Sequence, residues 1–314
     1  MASTSIGVRS LPLPSWLPRS VWPFQTYGVE AQGATLAVSE TGRGPTLLFV
    51  HVGLWSFIWR DLVAELAPDF RCILLDAPGN GLTIDDAGST IGMERASRAV
   101  ESVLDALDLE EFVLVVHDLG GPVGLGAVAH RPERVRGIIA LNSFAWSPSR
   151  PALKAMLAVV GSRLLTDLDV ATGVIPRITA SAFGVGRHLD ERARRAFLAG
   201  LGPRARRAFH SYMRDAARCE SLYERVDRAL RGPLAALPLL TIFGERNDPF
   251  GFQPRWKDLF PAAEQLVIAG GNHFPMCDAP DFVASSIRAW HNAHGVPDKR
   301  ERPTERALPL SKLA

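Results

Sequence analysis

Short apolar runs, each bounded by polar residues or by Gly and Pro, recur along the chain. They cover residues 46–51, 71–76, 111–117, 135–141, 239–244 and 264–268. Nearly continuous apolar runs of this length are typical of strands that are buried on both faces of a mostly parallel sheet. A further run at 35–40, framed by Gly33 and Gly42, predicts an antiparallel leading strand.

Between these runs the apolar residues recur at helical spacing, with charged residues on the opposite face. This pattern predicts helices over 89–109, 121–130 and 280–293. From 147 to about 233 the pattern is helical throughout, with no convincing strand. The alternation predicts an α/β fold, a mostly parallel doubly wound sheet that is interrupted after its sixth strand by an inserted helical cap.

The same pattern sets the predicted domain boundaries. We expect an N-terminal extension over 1–21, a core formed by 22–146 and 235–298, a helical cap over 147–234 and a tail over 299–314. The tail is rich in Arg, Glu and Pro, a composition that predicts disorder.

Composition narrows the function classes. The chain has 314 residues, is 47% hydrophobic and carries a net charge of +2, so the overall charge favours neither a nucleic-acid partner nor an acidic tail. No uninterrupted apolar stretch is long enough to span a membrane, and prolines interrupt the first 23 residues, which argues against a signal peptide. Three widely spaced cysteines fit a reducing, cytoplasmic location without metal-type spacing. We predict no metal and no cofactor, and the sequence gives no oligomeric state.

The run at 111–117 is followed by Asp118, and then by Leu119, Gly120 and Gly121. A strand, a sharp turn with small residues and a helix form the nucleophile elbow, which lifts one side chain above the carboxyl edge of a sheet. The residue at that corner is usually Ser, but here it is Asp118. A carboxylate needs no deprotonation, and at saturated carbon it displaces a leaving group to form an alkyl ester. This predicts a hydrolase for carbon–halogen or carbon–oxygen bonds rather than a protease.

Two later segments follow strands and supply the rest of a catalytic set. Asp248 follows the run at 239–244, and His273 follows the run at 264–268. The chain order of nucleophile, acid and His is that of a hydrolase triad, with His273 as the general base and Asp248 fixing its tautomer. The backbone N–H groups of Val52 and Leu119 are the candidate oxyanion donors.

Each piece also has a structural interpretation. Asp118 alone is compatible with a helix N-cap, and Asp248-Pro249 alone is a common turn. A single His in a Gly-rich loop is weak evidence as well. The ordered set, with each member just beyond a strand, favours catalysis.

With these motifs, the chain resembles the α/β-hydrolase superfamily and, within it, the haloalkane dehalogenase and epoxide hydrolase branch. The resemblance covers roughly residues 22–293. It is carried by His51…Trp55-Ser-Phe-Ile-Trp-Arg60, Asp76-Ala-Pro-Gly-Asn-Gly81-Leu, Val116-His-Asp118-Leu-Gly-Gly, Gly244-Glu-Arg-Asn-Asp248-Pro and Asn272-His273-Phe. It implies an α/β-hydrolase fold and the triad Asp118, Asp248 and His273. No carboxylate lies between Leu141 and Arg150, where some dehalogenases carry the acid, and this favours Asp248.

The chain also departs from this family where the leaving group is bound. Dehalogenases of this type usually carry His-Gly-Asn-Pro in the oxyanion turn and Trp directly after the nucleophile, whereas here the turn is His51-Val-Gly-Leu and Leu119 replaces the Trp. Trp55 and Trp146 are candidate substitute donors, or they only pack the cap. Epoxide hydrolases use cap tyrosines, for which Tyr212 and Tyr223 are candidates if they are not ordinary packing residues.

The sequence therefore predicts a cofactor-independent hydrolase with a covalent aspartyl-ester intermediate, acting on a small apolar organic substrate and water. The first hypothesis is a haloalkane dehalogenase-like activity. An epoxide hydrolase is the alternative within enzymes, and a ligand-binding member of the fold without turnover is a further alternative. The acid loop is one residue longer than the usual Gly-x-x-Asp spacing, which bears on the assignment of Asp248.

Overall fold

In the computed structural model, which describes residues 7–86 and 88–294, the described chain forms one ten-stranded sheet. The strands are β1 (Val8–Ser10), β2 (Gln25–Ala31), β3 (Ala34–Thr41), β4 (Thr46–Val50), β5 (Arg71–Leu75), β6 (Ile84–Asp85), β7 (Phe112–Asp118), β8 (Val135–Ser143), β9 (Leu239–Gly244) and β10 (Glu264–Ile268). Their spatial order is β1-β2-β3-β5-β4-β7-β8-β9-β10, with β6 paired to β3. Strands β5 through β10 along this path are parallel, whereas β1, β2 and β3 are antiparallel.

Helices connect and cover these strands. They are α1 (Arg60–Leu66), α2 (Met93–Ala106), α3 (Gly120–Val128), α4 (Pro151–Val160), α5 (Arg163–Thr172), α6 (Val174–Thr179), α7 (Glu191–Ala199), α8 (Pro203–Ala216), α9 (Glu220–Arg231), α10 (Phe252–Leu259), α11 (Pro275–Asp278) and α12 (Pro280–Ala293). Helices α4 to α9 follow one another between β8 and β9 without an intervening strand in the sequence. The predicted α/β architecture with a mostly parallel sheet is confirmed.

Both faces of the central strands are buried, which explains their continuous apolar sequence. In β4, Leu48 and Val50 belong to a core with α2 and α3, whereas Leu47 and Phe49 face a core with α1 and α12. A strand projects successive side chains to opposite faces, so a strand between two helical layers needs apolar residues at every position.

The N-terminal part of the sheet is larger than the single leading strand predicted from the sequence. β2 pairs with β3 as an antiparallel hairpin, and β1 pairs with β2. Between β1 and β2, Leu17, Val21 and Trp22 are buried against the core. The predicted extension over 1–21 therefore contributes a strand and core residues in its described part. The predicted disordered tail over 299–314 lies outside the described residues.

Within residues 7–86 and 88–294, every helix is too short or too polar to cross a bilayer. The same residues contain no group of three or more His, Cys, Asp or Glu side chains arranged to hold a metal ion.

Candidate active site

Asp118 ends β7 in a left-handed conformation, with φ of 48°. Such a backbone is uncommon for a residue other than Gly and is held in place by its surroundings. A Cβ atom on Gly120 would lie 2.1 Å from the Val50 carbonyl oxygen, and one on Gly121 would lie 2.0 Å from the Phe144 carbonyl oxygen. Only Gly lets the turn pass this close to both neighbouring strand ends, so the predicted elbow is present and sharply constrained.

His273 lies beside Asp118, as predicted. Its Nε2 atom is 3.7 Å from Asp118 Oδ2, and the two side chains keep 34% and 25% of their surface exposed. This distance is too long for a direct hydrogen bond but short enough for electrostatic contact. Both groups can therefore be reached by a small molecule while they remain in contact with each other.

The backbone of the His273 loop is held by polar side chains at the ends of β7 and β8. His117 Nε2 contacts the His273 carbonyl oxygen at 2.8 Å. Asn142 Nδ2 donates to the carbonyl oxygens of Asn272 at 2.8 Å and His273 at 3.0 Å. Sequence reasoning did not identify either residue as part of the site. The sequence feature that could have identified them is their position, because both lie at the carboxyl ends of strands next to the nucleophile.

The predicted contact between Asp248 and His273 is wrong. The Asp248 carboxylate instead accepts hydrogen bonds from the backbone N–H groups of Phe252 at 2.6 Å and Gln253 at 2.9 Å. Those groups open α10 and have no partner inside the helix, so a carboxylate is strongly attracted to them. Asp248 is therefore a helix-capping residue.

Asn247 occupies the position predicted for the acid. Its Nδ2 atom lies 2.9 Å from His273 Nδ1. The usual Gly-x-x-acid spacing, counted from Gly244, also reaches Asn247, and that spacing was the available signal. Among residues 7–86 and 88–294, Asp118 is the only carboxylate within 4.0 Å of a nitrogen of His273. The His is thus oriented by an amide.

An amide can orient an imidazole in two ways. With Nδ2 facing Nδ1, as here, the neutral His273 ring carries its proton on Nε2. After a half turn of the amide, Oδ1 accepts a proton from Nδ1, and Nε2 becomes free to act as a base. Asn247 can therefore support either tautomer, but it cannot neutralise an imidazolium as a carboxylate does.

Two further histidines, His51 and His117, lie beneath the site. His51 Nδ1 is 3.2 Å from both the His117 carbonyl oxygen and His117 Nδ1. Burial lowers the pKa of His51 to about 4 and the pKa of His117 well below its ordinary value, so both rings are neutral near pH 7. Because the His273 carbonyl can only accept, His117 Nε2 carries the proton and its Nδ1 accepts from His51.

The electrostatics keep Asp118 ionised. Burial raises the pKa of its carboxyl, but the His273 imidazole, the more distant His51 and the Leu119 backbone N–H outweigh burial and leave the pKa below the ordinary value. A carboxylate in this state is ready to act as a nucleophile at neutral pH.

The predicted oxyanion donors lie at the two turns beside the nucleophile. The Leu119 N–H helps to hold the pKa of the Asp118 carboxyl below its ordinary value. The Val52 N–H has no hydrogen-bond partner among the described residues. A Cβ atom on the next residue, Gly53, would lie 3.2 Å from the Phe209 ring and 3.8 Å from the Met213 methyl group, so α8 covers this turn with apolar side chains.

Three of the four candidate leaving-group donors already have backbone partners. The Trp55 indole N–H donates to the Phe197 carbonyl, the Tyr212 hydroxyl to the Pro78 carbonyl and the Tyr223 hydroxyl to the Ala216 carbonyl. The hypothesis that these groups bind a leaving group is contradicted by these contacts, because a buried polar group keeps the partner that satisfies it. Trp146 packs between Phe252 and Trp256, under the guanidinium of Arg255.

Comparisons with known proteins agree with the fold. The sequence model of the alpha/beta hydrolase fold matches residues 45–169. The chain is 30% identical over 279 residues to cis-3-alkyl-4-alkyloxetan-2-one decarboxylase from Shewanella oneidensis, covering 85% of this chain and 88% of the relative. It is 26% identical over 276 residues to haloalkane dehalogenase 2 from Mycobacterium tuberculosis, covering 85% and 95%.

Solved structures show the same fold. Haloalkane dehalogenase DbeA from Bradyrhizobium elkani has a TM-score of 0.70 at 20% identity, with 86% of this chain and 98% of that chain covered. A structure from Pseudomonas aeruginosa assigned as an epoxide hydrolase has a TM-score of 0.68 at 23% identity, with 86% and 96% covered. The chain therefore belongs to the α/β-hydrolase superfamily, and its sequence is similar both to the decarboxylase from Shewanella oneidensis and to haloalkane dehalogenases.

Proposed function

We propose that this protein opens a carbon–heteroatom bond of a small apolar organic substrate through a covalent ester on Asp118, in the manner of a haloalkane dehalogenase. The observation that carries the proposal is the ionised Asp118 at a constrained elbow, with its Oδ2 atom 3.7 Å from His273 Nε2. In the first step a carboxylate oxygen bonds to the substrate carbon, and the leaving group departs with the electron pair of the broken bond.

The second step is hydrolysis of this ester. His273 accepts a proton from water through Nε2, and the resulting hydroxide attacks the carboxyl carbon of Asp118. The N–H groups of Val52 and Leu119 stabilise the oxyanion that forms there. The alkoxide then departs, takes the proton back from His273 and leaves as the alcohol, while Asp118 regains its carboxylate with one oxygen from water and releases the second proton of that water to solvent. Asn247 must present Oδ1 to Nδ1 during this step, because Nε2 has to be unprotonated.

The substrate lies between the core and the proposed cap, residues 147–234. Support comes from α8, whose Phe209 and Met213 side chains cover the oxyanion turn. An apolar cover excludes water from the nucleophile and strengthens its electrostatic interactions. This surface suits a small apolar substrate.

A second candidate is decarboxylation of a four-membered lactone. It is favoured by the relative from Shewanella oneidensis and by the amide at residue 247. Asp118 attacks the ring carbon that bears the lactone oxygen, and the carbon–oxygen bond breaks to leave a free carboxylate. Loss of carbon dioxide then forms the carbon–carbon double bond and expels Asp118. No water is consumed, so this route requires no imidazolium and no acid beside His273.

Epoxide opening and ligand binding without turnover are less well supported. The two tyrosines predicted as donors to an epoxide oxygen are hydrogen-bonded to backbone carbonyls. A protein that only binds a ligand does not require an ionised Asp118 next to His273.

A substrate panel separates these functions. The protein is incubated with brominated alkanes, epoxides and 3,4-dialkyl β-lactones in heavy-oxygen water, and halide, diol, alkene and labelled Asp118 are measured. Halide release with label entering Asp118 supports the first proposal, whereas alkene and carbon dioxide without label support the second. Diol formation supports epoxide hydrolysis. Cleavage of carboxylic esters alone contradicts all three.

The matched control uses two Asp→Asn variants. Asp118→Asn is expected to lose turnover, whereas Asp108→Asn is expected to retain it, because Asp108 is an exposed residue that also has a positive φ, of 51°. Full turnover in Asp118→Asn contradicts the proposal.

A further inference from the structure

A cavity of about 460 Å³ lies at the surface between the N-terminal end of α4 and helix α10. Its wall includes Trp146, Arg150, Phe250, Phe252, Arg255 and Asp258. None of Asp118, Asn247 and His273 lines it. The cavity is therefore a separate feature that the catalytic proposal does not use.

One part of the wall is aromatic. The rings of Phe250 and Phe252 have centroids 5.7 Å apart, and those of Trp146 and Phe252 are 5.8 Å apart. Together these side chains offer apolar surface to a flat or aliphatic molecule. The volume lies within the usual range for small-molecule sites, roughly 300–1,000 Å³.

The other part of the wall is cationic. The Arg150 side chain has no hydrogen bond or ion pair among the described residues, and the Arg255 guanidinium has no carboxylate within 4.0 Å there. The Arg255 guanidinium instead lies 4.3 Å from the centre of the Trp146 ring. Burial lowers the pKa of Arg255, which means that its positive charge is partly removed from water. A bound anion would offset the free-energy cost of that desolvation. Asp258 is the one carboxylate of this wall, which leaves it with a net charge of +1.

We propose that this cavity binds an organic monoanion with an apolar body, such as an aromatic or alkyl carboxylate. The apolar body packs on Phe250 and Phe252, and the carboxylate is bound by the guanidinium groups of Arg150 and Arg255. Arg recognises carboxylates through parallel N–H donors, which a neutral ligand of the same shape cannot use.

The test is a calorimetric titration of the full-length protein with 2-naphthoate and with its neutral analogue 2-naphthylmethanol. We expect 2-naphthoate to bind and 2-naphthylmethanol to bind at least about tenfold more weakly, because the charge-assisted hydrogen bonds are lost. Equal affinity for the two compounds, or no measurable binding of 2-naphthoate at millimolar concentration, overturns the proposal.

Substitutions locate the ligand. Arg150→Gln and Arg255→Gln together are expected to weaken 2-naphthoate binding about tenfold or more, whereas Asp258→Asn is expected to tighten it by removing repulsion. Arg163→Gln is the matched control, because Arg163 is exposed and does not line the cavity. Unchanged affinity in the double variant contradicts the assignment.

Asp118→Asn distinguishes this site from the catalytic one. Because Asp118 does not line the cavity, this variant is expected to bind 2-naphthoate as the natural protein does. Loss of binding in this variant places the ligand in the catalytic pocket and overturns the inference. Failure of the catalytic proposal leaves this result unaffected.

Discussion

Asn247 lies where a nucleophile–His–acid triad has its carboxylate, and its amide is 2.9 Å from His273 Nδ1. An amide orients the ring without stabilising the imidazolium that forms during ester hydrolysis. Replacing Asn247 by Asp is therefore expected to speed hydrolysis of the Asp118 ester by at least about tenfold. The acid limb of that rate is expected to move to higher pH, because a nearby negative charge favours the protonated ring. Single-turnover kinetics across pH measure both effects.

Asn247→Leu is the control for this prediction. It keeps a side chain of similar size but leaves Nδ1 without a partner, so it is expected to slow hydrolysis. If Asn247→Asp and Asn247→Leu both hydrolyse the ester at the natural rate, residue 247 does not position His273.

Asp248 is the next residue in the chain, but it has a different role, because it caps the N-terminus of α10. Asp248→Ala is expected to lower the free energy of unfolding by about 1–2 kcal/mol, because two backbone N–H groups lose their acceptor. Turnover is expected to persist, since the carboxylate does not reach His273. Urea unfolding and steady-state kinetics on the same preparation separate the two effects.

Two further variants serve as controls for the capping role of Asp248. Asp248→Asn retains a capping oxygen and is expected to keep most of the stability. Asp190→Ala removes the cap of α7, where Asp190 accepts from the Ala193 N–H at 2.7 Å, and is expected to cost a similar amount. A stable but inactive Asp248→Ala protein would restore Asp248 as the catalytic acid.

The elbow between β7 and α3 depends on Gly120. A Cβ atom there would lie 2.1 Å from the Val50 carbonyl oxygen, so the backbone of β4 or of the turn has to move. Gly120→Ala is expected to cost about 1–3 kcal/mol of stability and to reduce turnover more than stability alone explains. Thermal unfolding and kinetics below the unfolding temperature test this.

Gly202→Ala provides the comparison for the elbow. A Cβ atom at Gly202, which caps α8, meets nothing within 4 Å. We expect only a small change in stability and turnover. Equal losses in the two variants would mean that close packing at the elbow is not what fixes Asp118.

The elements of the central sheet could be predicted from the sequence because burial on both faces leaves a strong signal. Strand β4 ends at Val50, one residue before the predicted limit, and β7 spans Phe112–Asp118 against a predicted 111–117. The hairpin strand β2 (Gln25–Ala31) was missed because polar and apolar residues mix in it, with exposed Gln25 and Glu30. Its partner strand, not its own sequence, determines its structure.

The choice between Asn247 and Asp248 could not be predicted in the same way. Adjacent residues in a loop point in different directions, and which one faces His273 depends on where α10 begins. The left-handed Gly251, with φ of 68°, is the N-cap of α10, and Asp248 accepts from the first two N–H groups of that helix. Both Asn247 and Asp248 are plausible partners of His273 from the sequence alone, and only the three-dimensional path of the loop shows which of them faces His273.

At the scale of the whole molecule, two buried and neutral histidines under the active site make the free energy of unfolding depend on pH. Burial lowers the pKa of His51 to about 4 from an ordinary 6.5, and it also lowers the pKa of His117 well below that ordinary value. As pH falls below about 6.5, the unfolded chain binds protons that the folded protein does not, so stability is lost. Each of the two groups is expected to lower the free energy of unfolding by about 1.4 kcal/mol per pH unit between pH 6 and 5.

Urea unfolding at pH 7, 6 and 5 measures this dependence. Stability is expected to be fully present above pH 7 and to fall steadily below it. A free energy of unfolding that stays constant from pH 7 to pH 5 would show that the two histidines bind protons in the folded protein as they do in the unfolded chain, which contradicts the lowered pKa values.

The most direct measurement is mass spectrometry of the peptide that carries Asp118, after brief exposure of a His273→Gln variant to the substrate found in the panel. Without its base, the variant is expected to accumulate the ester, and the Asp118 side chain to gain the mass of the substrate's alkyl group. An unmodified Asp118 in a variant that consumes substrate, or an adduct on any other residue, would contradict covalent catalysis by Asp118.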